Sequence, residues 1–393
     1  MNTYVVKGKK LFDGDKIIKD YYFIVQEDKI IEVGEMANKI IPESMDVIDM
    51  GDKVVTPGLM DCHIHIFGDP YNISKETISK VTPVMLTAVA INNLKELLSQ
   101  GIVYIRDVGA PKGVAYEVRN LVKKGVIKGP ELKVAGQAIC ITGGHGYYIS
   151  NECDGPEEVR KAVRENIKLG SDFIKLMVTG GITTPGPELA PCEMTIEEIK
   201  VGVEEAHKKN KKVAVHTHGS TGIRLCLEAG VDSIEHGVLM DEELADIAVE
   251  KGIFTVPTLS APYFAAMNGT KNNAKSKSHE KSKSVIAVHN KNILNAFSKG
   301  VKLAMGTDSG TPFNGFDTAL EELVLLNKIG IPTEDVFKIS TKNSAELLDV
   351  LDTHGTIEAG KQATFVVFDE DPFVDINNIK GSKEVYQNGI KVV

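Results

Sequence analysis

Thr56-Pro57-Gly58-Leu59-Met60-Asp61-Cys62-His63-Ile64-His65 is the stretch from which the rest of this chain can be read. An apolar run of strand length ends in a polar cluster, and two histidines two residues apart close it. Alternate residues of a strand point the same way, so His63 and His65 face one side together. Two imidazoles so placed form a two-toothed metal clamp. Taken alone the pair is a weak signal, and its weight depends on how the other apolar runs end.

Working outward, the same texture recurs. Val103-Tyr104-Ile105 precedes a helical pattern over 113–124, and Leu132-Lys133-Val134-Ala135 precedes one over 157–169. Phe173-Ile174-Lys175-Leu176-Met177-Val178 leads to a helix near 196–209, opened by the capping box Thr195-Ile196-Glu197-Glu198. Val213-Ala214-Val215, Ser233-Ile234, Phe254-Thr255-Val256 and Val301-Lys302-Leu303-Ala304-Met305 lead to helical patterns near 221–229, 242–251, 285–298 and 318–328. With the opening strand and its helix near 83–98, about eight β-α units fill residues 57–356, which predicts a closed parallel (β/α)8 barrel of TIM type. The first 56 residues and the segment 357–393 read instead as short strands separated by Gly, Asp and Lys turns, with Asn388-Gly389 as a hairpin signal. One small β-sandwich domain built from both termini is expected.

Composition bounds the function. The chain has 393 residues, 42% hydrophobic and 25% charged, which is ordinary for a globular protein. Its formal net charge of -9 argues against a nucleic-acid partner. No leader pattern and no apolar stretch of membrane-spanning length is visible. The five cysteines are scattered, odd in number and never in a Cys-x-x-Cys pair, which fits free thiols in a reducing cytoplasm.

In such a barrel, chemistry collects where strands end and loops begin. The fifth run ends in His216-Thr217-His218, the sixth in Glu235-His236-Gly237 and the eighth in Gly306-Thr307-Asp308. Lys175 lies inside an apolar run, where a bare ammonium is costly to bury. Three outcomes are open to it: pairing with an acid, a stem that carries its head outward, or reaction with CO2. The resulting carbamate is anionic and can bridge two cations, and burial frees the nucleophilic amine for that reaction.

This pattern resembles the amidohydrolase superfamily: His-x-His after strand one, Lys after four, His after five and six, Asp after eight. The flanking text is similar to its imidazolonepropionase-like and Xaa-Pro dipeptidase branch. The residues concerned are Thr142-Gly143-Gly144-His145-Gly146, Asp154-Gly155-Pro156, Ile174-Lys175-Leu176-Met177, Thr179-Gly180-Gly181, Ile234-Glu235-His236-Gly237, Val256-Pro257-Thr258-Leu259, Gly306-Thr307-Asp308-Ser309-Gly310, the run 355–361 and Asp371-Pro372. The resemblance implies two divalent cations, zinc first among them. His63, His65, N6-carboxylated Lys175 and Asp308 would hold one, and Lys175, His216 and His236 the other. Asp308 would also take the proton of a bridging hydroxide. His145 would polarise the scissile carbonyl.

His218 either faces the substrate carboxylate or makes a supporting hydrogen bond. Tyr147 and Tyr148 share the loop of His145; an exposed tyrosine pair is the plain reading, substrate contact the functional one. His207, His279, His289 and His354 lie in polar settings and read as surface residues, as do Arg160 and Arg164 on a solvated helix face. The Lys- and Ser-rich segment 271–284 reads as a solvated loop or helix face, with a lid over the mouth as the functional alternative.

The function expected is hydrolysis of the amide bond of dipeptides or N-acyl amino acids, with release of the C-terminal amino acid. A cyclic-amide hydrolase of the imidazolonepropionase or dihydroorotase kind is the alternative, and a metal-less scaffold protein the remote one. Relatives acting on imidazolone resemble one-metal enzymes without the strand-four lysine, so Lys175 favours the first reading. A small-molecule or short-peptide substrate, homo-oligomeric assembly and a cytoplasmic location complete the expectation. The loops 147–152, 185–192 and 261–284, which would choose the leaving amino acid, carry no legible pocket.

Overall fold

A computed structural model describes residues 3–71, 80–181, 190–268 and 277–393; the side chains of 277–284 are not among them. Strands from both ends of the chain join in one mixed eight-stranded sheet. Its order is Ile390–Lys391, Lys383–Gln387, Phe365–Phe368, Val54–Pro57, Thr3–Phe12, Ile17–Gln26 and Lys29–Glu35, with Asp46–Asp49 also paired to Thr3–Phe12. Alternation places Tyr21, Phe23, Val55, Phe365 and Val367 in a common apolar layer. Asn388 and Gly389 take φ values of +51° and +78°, and Gln387 pairs with Ile390 across them. That is the two-residue hairpin such a dipeptide favours.

Val54–Pro57 hands the chain directly to Leu59–Ile64, the first barrel strand. Ile102–Asp107, Glu131–Val134, Ile174–Met177, Val213–Thr217, Ser233–His236 and Phe254–Val256 follow, and every pairing between neighbours is parallel. Except for Glu131–Val134, where burial alternates, these strands are buried on both faces. The third strand is broken. Glu131–Val134 pairs with the second strand, whereas Ala138–Cys140, beyond a kink, pairs with the fourth. Gly136 makes the kink at φ +74°, where an added Cβ would lie 1.8 Å from the Tyr116 hydroxyl.

The eighth strand expected at 301–305 is reduced to single parallel pairings, Thr255 with Leu303 and Ile64 with Ser309. Cys62 N still donates to Met305 O at 2.7 Å, so the barrel closes. The ladder is short because other groups take part of it. Met305 N donates to the Ser344 hydroxyl at 3.2 Å, and Asn343 Nδ2 takes the Leu303 carbonyl at 3.0 Å, both from the segment that follows the π-helical turn Ile339–Asn343 or closes it.

Helices cover the outside with one apolar stripe each. Pro156–Leu169 buries Val159, Ala162 and Val163, at the spacing of one helix face. Ile196–His207 starts at the expected capping box: Thr195 N donates to Glu198 Oε2 at 2.7 Å, and Glu198 N donates to Thr195 Oγ1 at 3.3 Å. Arg160 and Arg164 both donate to Glu205 of this second helix, at 2.7 and 2.8 Å, so the solvated face is also a clamp between two helices. Of the segment 271–284, residues 271–276 lie outside the described residues, and 277–284 opens the helix Lys277–Lys299. Among the described residues no helix is long and apolar enough to cross a membrane.

Candidate metal-dependent active site

Parallel strands all end at one face, and their register sets the level of each last side chain. Lys175 pairs with Ala214, Met177 with His216, and Thr217 with His236, so the fourth, fifth and sixth strands deliver their polar ends side by side. His63 and His65 come from the first strand and the turn after it. Two clusters result: His63, His65 and Asp308, and His216, His218 and His236, each with candidate ligand atoms within 4.8 Å of one another. The clusters are contiguous, with 4.8 Å between the ring centroids of His63 and His236 and 4.5 Å between those of His216 and His236. His236 and Asp308 take left-handed φ values of +69° and +59°. Such backbone costs energy outside glycine and persists where the surroundings enforce it, often at functional sites.

Each ring is oriented from behind. His63 Nδ1 lies 2.6 Å from Glu235 Oε2, His65 Nδ1 lies 3.1 Å from the Gly109 carbonyl, and His236 Nδ1 lies 2.7 Å from Thr258 Oγ1. A carbonyl only accepts, so His65 carries a proton on Nδ1 and turns its Nε2 to the site. The Nε2 atoms of His63 and His65 lie 3.5 and 3.4 Å from Asp308 Oδ1. Burial works against ionising Asp308, but these two histidines outweigh it and hold its carboxyl well below the usual range. Burial, reinforced by neighbouring positive groups, lowers His216, His218 and His236, which keeps their imidazoles neutral.

Lys175 is 1% exposed, and its Nζ has no hydrogen-bond partner among the described residues. Burial pulls its pKa down to about 8. His216 Nε2, His236 Nε2 and His218 Nδ1 are likewise buried and unsatisfied. Orphaned buried polar atoms are rare and call for an explanation. Neutral imidazole nitrogens, a carboxylate and an amine converging without partners have the donor chemistry of a site for divalent cations, and the residues present fit that group.

His145 lies in the loop beyond Ala138–Cys140 and stacks on His216, with 4.3 Å between centroids and 22° between planes. Its backbone N donates to Glu193 Oε2 at 2.8 Å. Gly181 makes room for the ring, since a Cβ there would lie 2.2 Å from His145 Cε1. His218 stacks on His236 at 4.6 Å. Tyr147 is 51% exposed and packs edge-on against Tyr148 at the rim of the same loop. Thus the structure brings His63, His65, Lys175, His216, His218, His236, Asp308 and His145 to one end of the barrel and leaves Tyr147 outermost. Of the loops expected to choose the leaving group, residues 185–189 and 269–276 and the side chains of 277–284 lie outside the described residues.

Two histidines read as surface residues are not. His289 is 1% exposed, and its Nε2 lies 2.8 Å from the His236 carbonyl. Val285, Ile293 and Ala296 are buried with it, at the spacing of one apolar helix face, and that spacing was the signal to use. His354 is also buried, edge-on to Tyr104 with 5.5 Å between centroids, in a turn whose packing no periodicity announces. His207 remains half-exposed beside Asp232, and the side chain of His279 lies outside the described residues. Sequence reasoning assigned no role to Glu235, Arg106 or Thr258. An ionisable residue inside a buried barrel strand was the available sign for the first two.

Comparison with known proteins agrees with this fold. The family described as "Amidohydrolase family" matches residues 54–390. Ochratoxinase of Aspergillus niger is 31% identical over 360 residues, covering 84% of this chain and 73% of that protein. The crystal structure of a Xaa-Pro dipeptidase with bound methionine in the active site superposes with a TM-score of 0.89 at 31% identity, covering 99% of each chain. That of a prolidase complexed with N-methylphosphonate-L-proline does so with a TM-score of 0.90 at 26% identity, again covering 99% of each chain. The chain belongs to the amidohydrolase family.

Proposed function

We propose that this hydrolase uses two divalent cations, zinc first among them, to cleave the amide bond of dipeptides or N-acyl amino acids and release the C-terminal amino acid. The observation that carries the proposal is the unpartnered, fully buried Lys175 Nζ among neutral imidazoles whose Nε2 atoms are also unsatisfied. Its amine nitrogen adds to the carbon of CO2 and loses a proton, giving a carbamate that supplies the missing negative charge. His63, His65, the carbamate and Asp308 would hold one cation, and the carbamate, His216 and His236 the other. Cations bound there would supply a hydroxide nucleophile near neutral pH by lowering the pKa of bound water.

The protein's own groups do the rest. Asp308, kept anionic by His63 and His65, accepts the proton and delivers it to the leaving amine. His145, held by Glu193 and Gly181 over the His216 ring, polarises the scissile carbonyl. His218, stacked beside His236, receives the substrate's carboxylate, and Tyr147 flanks the bound substrate from the rim. Support for an amino-acid leaving group comes from the relatives: methionine and an N-substituted proline are the ligands named for two similar structures.

The test is a panel of dipeptides and N-acyl amino acids varied at the C-terminal residue, assayed with added zinc. Release of the free amino acid that stops after chelation is expected. Turnover of cyclic amides alone would move the activity to the imidazolonepropionase or dihydroorotase kind.

A further inference from the structure

The three oriented histidines of the site are not backed alike. His65 Nδ1 meets a neutral carbonyl and His236 Nδ1 a neutral hydroxyl, whereas His63 Nδ1 meets the carboxylate of Glu235 at 2.6 Å. Glu235 is fully buried, and its other oxygen accepts from Arg106 Nη2 at 2.7 Å and from the Ser233 hydroxyl at 2.6 Å. Arg106, itself 3% exposed, reaches across from the second strand; its Nε donates to the Cys62 carbonyl at 2.5 Å and its Nη1 to Ser233 Oγ at 3.2 Å. One ion pair therefore ties the first, second and sixth strands together directly behind His63.

A buried ion pair seldom stabilises a fold more than apolar residues of the same shape, because two charges must leave water. Its direct bond to one histidine, where the other two oriented rings bond a carbonyl and a hydroxyl, calls for a purpose other than stability. We infer that Glu235 and Arg106 are a positioning pair that fixes the proton of His63 on Nδ1 and enriches its Nε2 lone pair, so that the cation held by His63, His65 and Asp308 binds more tightly than the one held by His216 and His236. Arg106 keeps Glu235 anionic and aimed, and Glu235 acts on the cation only through the imidazole. Carboxylates behind a ligating histidine commonly change metal affinity by about 10–100-fold. This inference rests on the two-cation reading above, which it deepens by ranking the two halves of the site.

The experiment is zinc binding to the full chain by competition with a chromophoric chelator, for the wild type, Glu235→Gln, the double variant Arg106→Met/Glu235→Gln, and Thr258→Val. Glu235→Gln leaves Arg106 buried without its counter-charge and can fail to fold. The double variant removes both charges together and avoids that penalty. Two unequal dissociation constants are expected for the wild type. Both Glu235 variants should weaken the tighter one by about 10–100-fold and leave the weaker one in place. Thr258→Val should weaken the weaker one alone.

Unchanged constants in the Glu235 variants, or an equal loss at both sites, would overturn the inference. So would failure of both variants to fold, because the pair would then serve the barrel floor and not the cation. A wild type that binds no stoichiometric zinc would instead remove the two-cation reading itself.

Discussion

Replacing Lys175 with methionine should make the metal-free protein more stable and the enzyme inactive. Methionine is unbranched and of similar length, so it fills the space of the lysine stem without a cavity. The wild-type Nζ is buried with no partner among the described residues. A buried donor left unsatisfied costs about 1–3 kcal/mol, and the variant removes that cost. Unfolding entropy of roughly 2.1 cal/mol/K per residue gives about 0.8 kcal/mol per degree for 393 residues. The first thermal transition of the chelator-treated variant should therefore rise by about 1–4 °C. Metal analysis and amide hydrolysis should meanwhile fall to background, since no carbamate can form. Differential scanning calorimetry of both chelated proteins at one pH, with zinc stoichiometry measured alongside, decides the matter. A lower midpoint would show that the amine is satisfied in the fold, and retained zinc with retained turnover would refute Lys175 as the bridge.

His145→Ala should retain the metal content of the wild type and lose about 10²–10³ in kcat, the size of one lost oxyanion contact; loss of metal in that variant would move His145 into the ligand set. Glu322 provides a pH-dependent stability check. Burial pushes its carboxyl up to about 8, against the bonds it accepts from the backbone N–H groups of Leu259 and Ser260 at 2.9 and 2.7 Å. The folded state then favours the neutral acid. Its contribution is complete below the unfolded value near 4.5 and is lost as pH rises through about 8. Thermal midpoints should fall across that window in the wild type and fall less in Glu322→Gln, and parallel curves for the two proteins would sink the argument.

The sequence alone determined the architecture and most of the residues at the mouth. About eight apolar runs alternating with helical patterns pointed to a closed parallel barrel, whose strands are covered on both faces. A polar residue placed just after such a run emerges at the open end, so His63, His65, His216, His236 and Asp308 were legible as a set, although each alone is a weak signal. Local turn chemistry was equally legible, at the Thr195 cap and at the Asn388-Gly389 hairpin, because neighbours in sequence make those bonds.

Tertiary structure decided what depends on residues far apart in the chain. The tie from Arg106 to Glu235 joins positions 129 apart; their places inside apolar runs mark both as buried, but no local pattern pairs one with the other. His289 reaches the His236 carbonyl across 53 positions. The eighth strand shrank because hydrogen-bonding groups near residue 343 took part of its ladder. Sequence periodicity reports which face of an element avoids water. Which buried donor meets which buried acceptor is fixed only when distant strands are brought to one register, and there the carboxylate behind His63 and the orphaned amine of Lys175 first become visible.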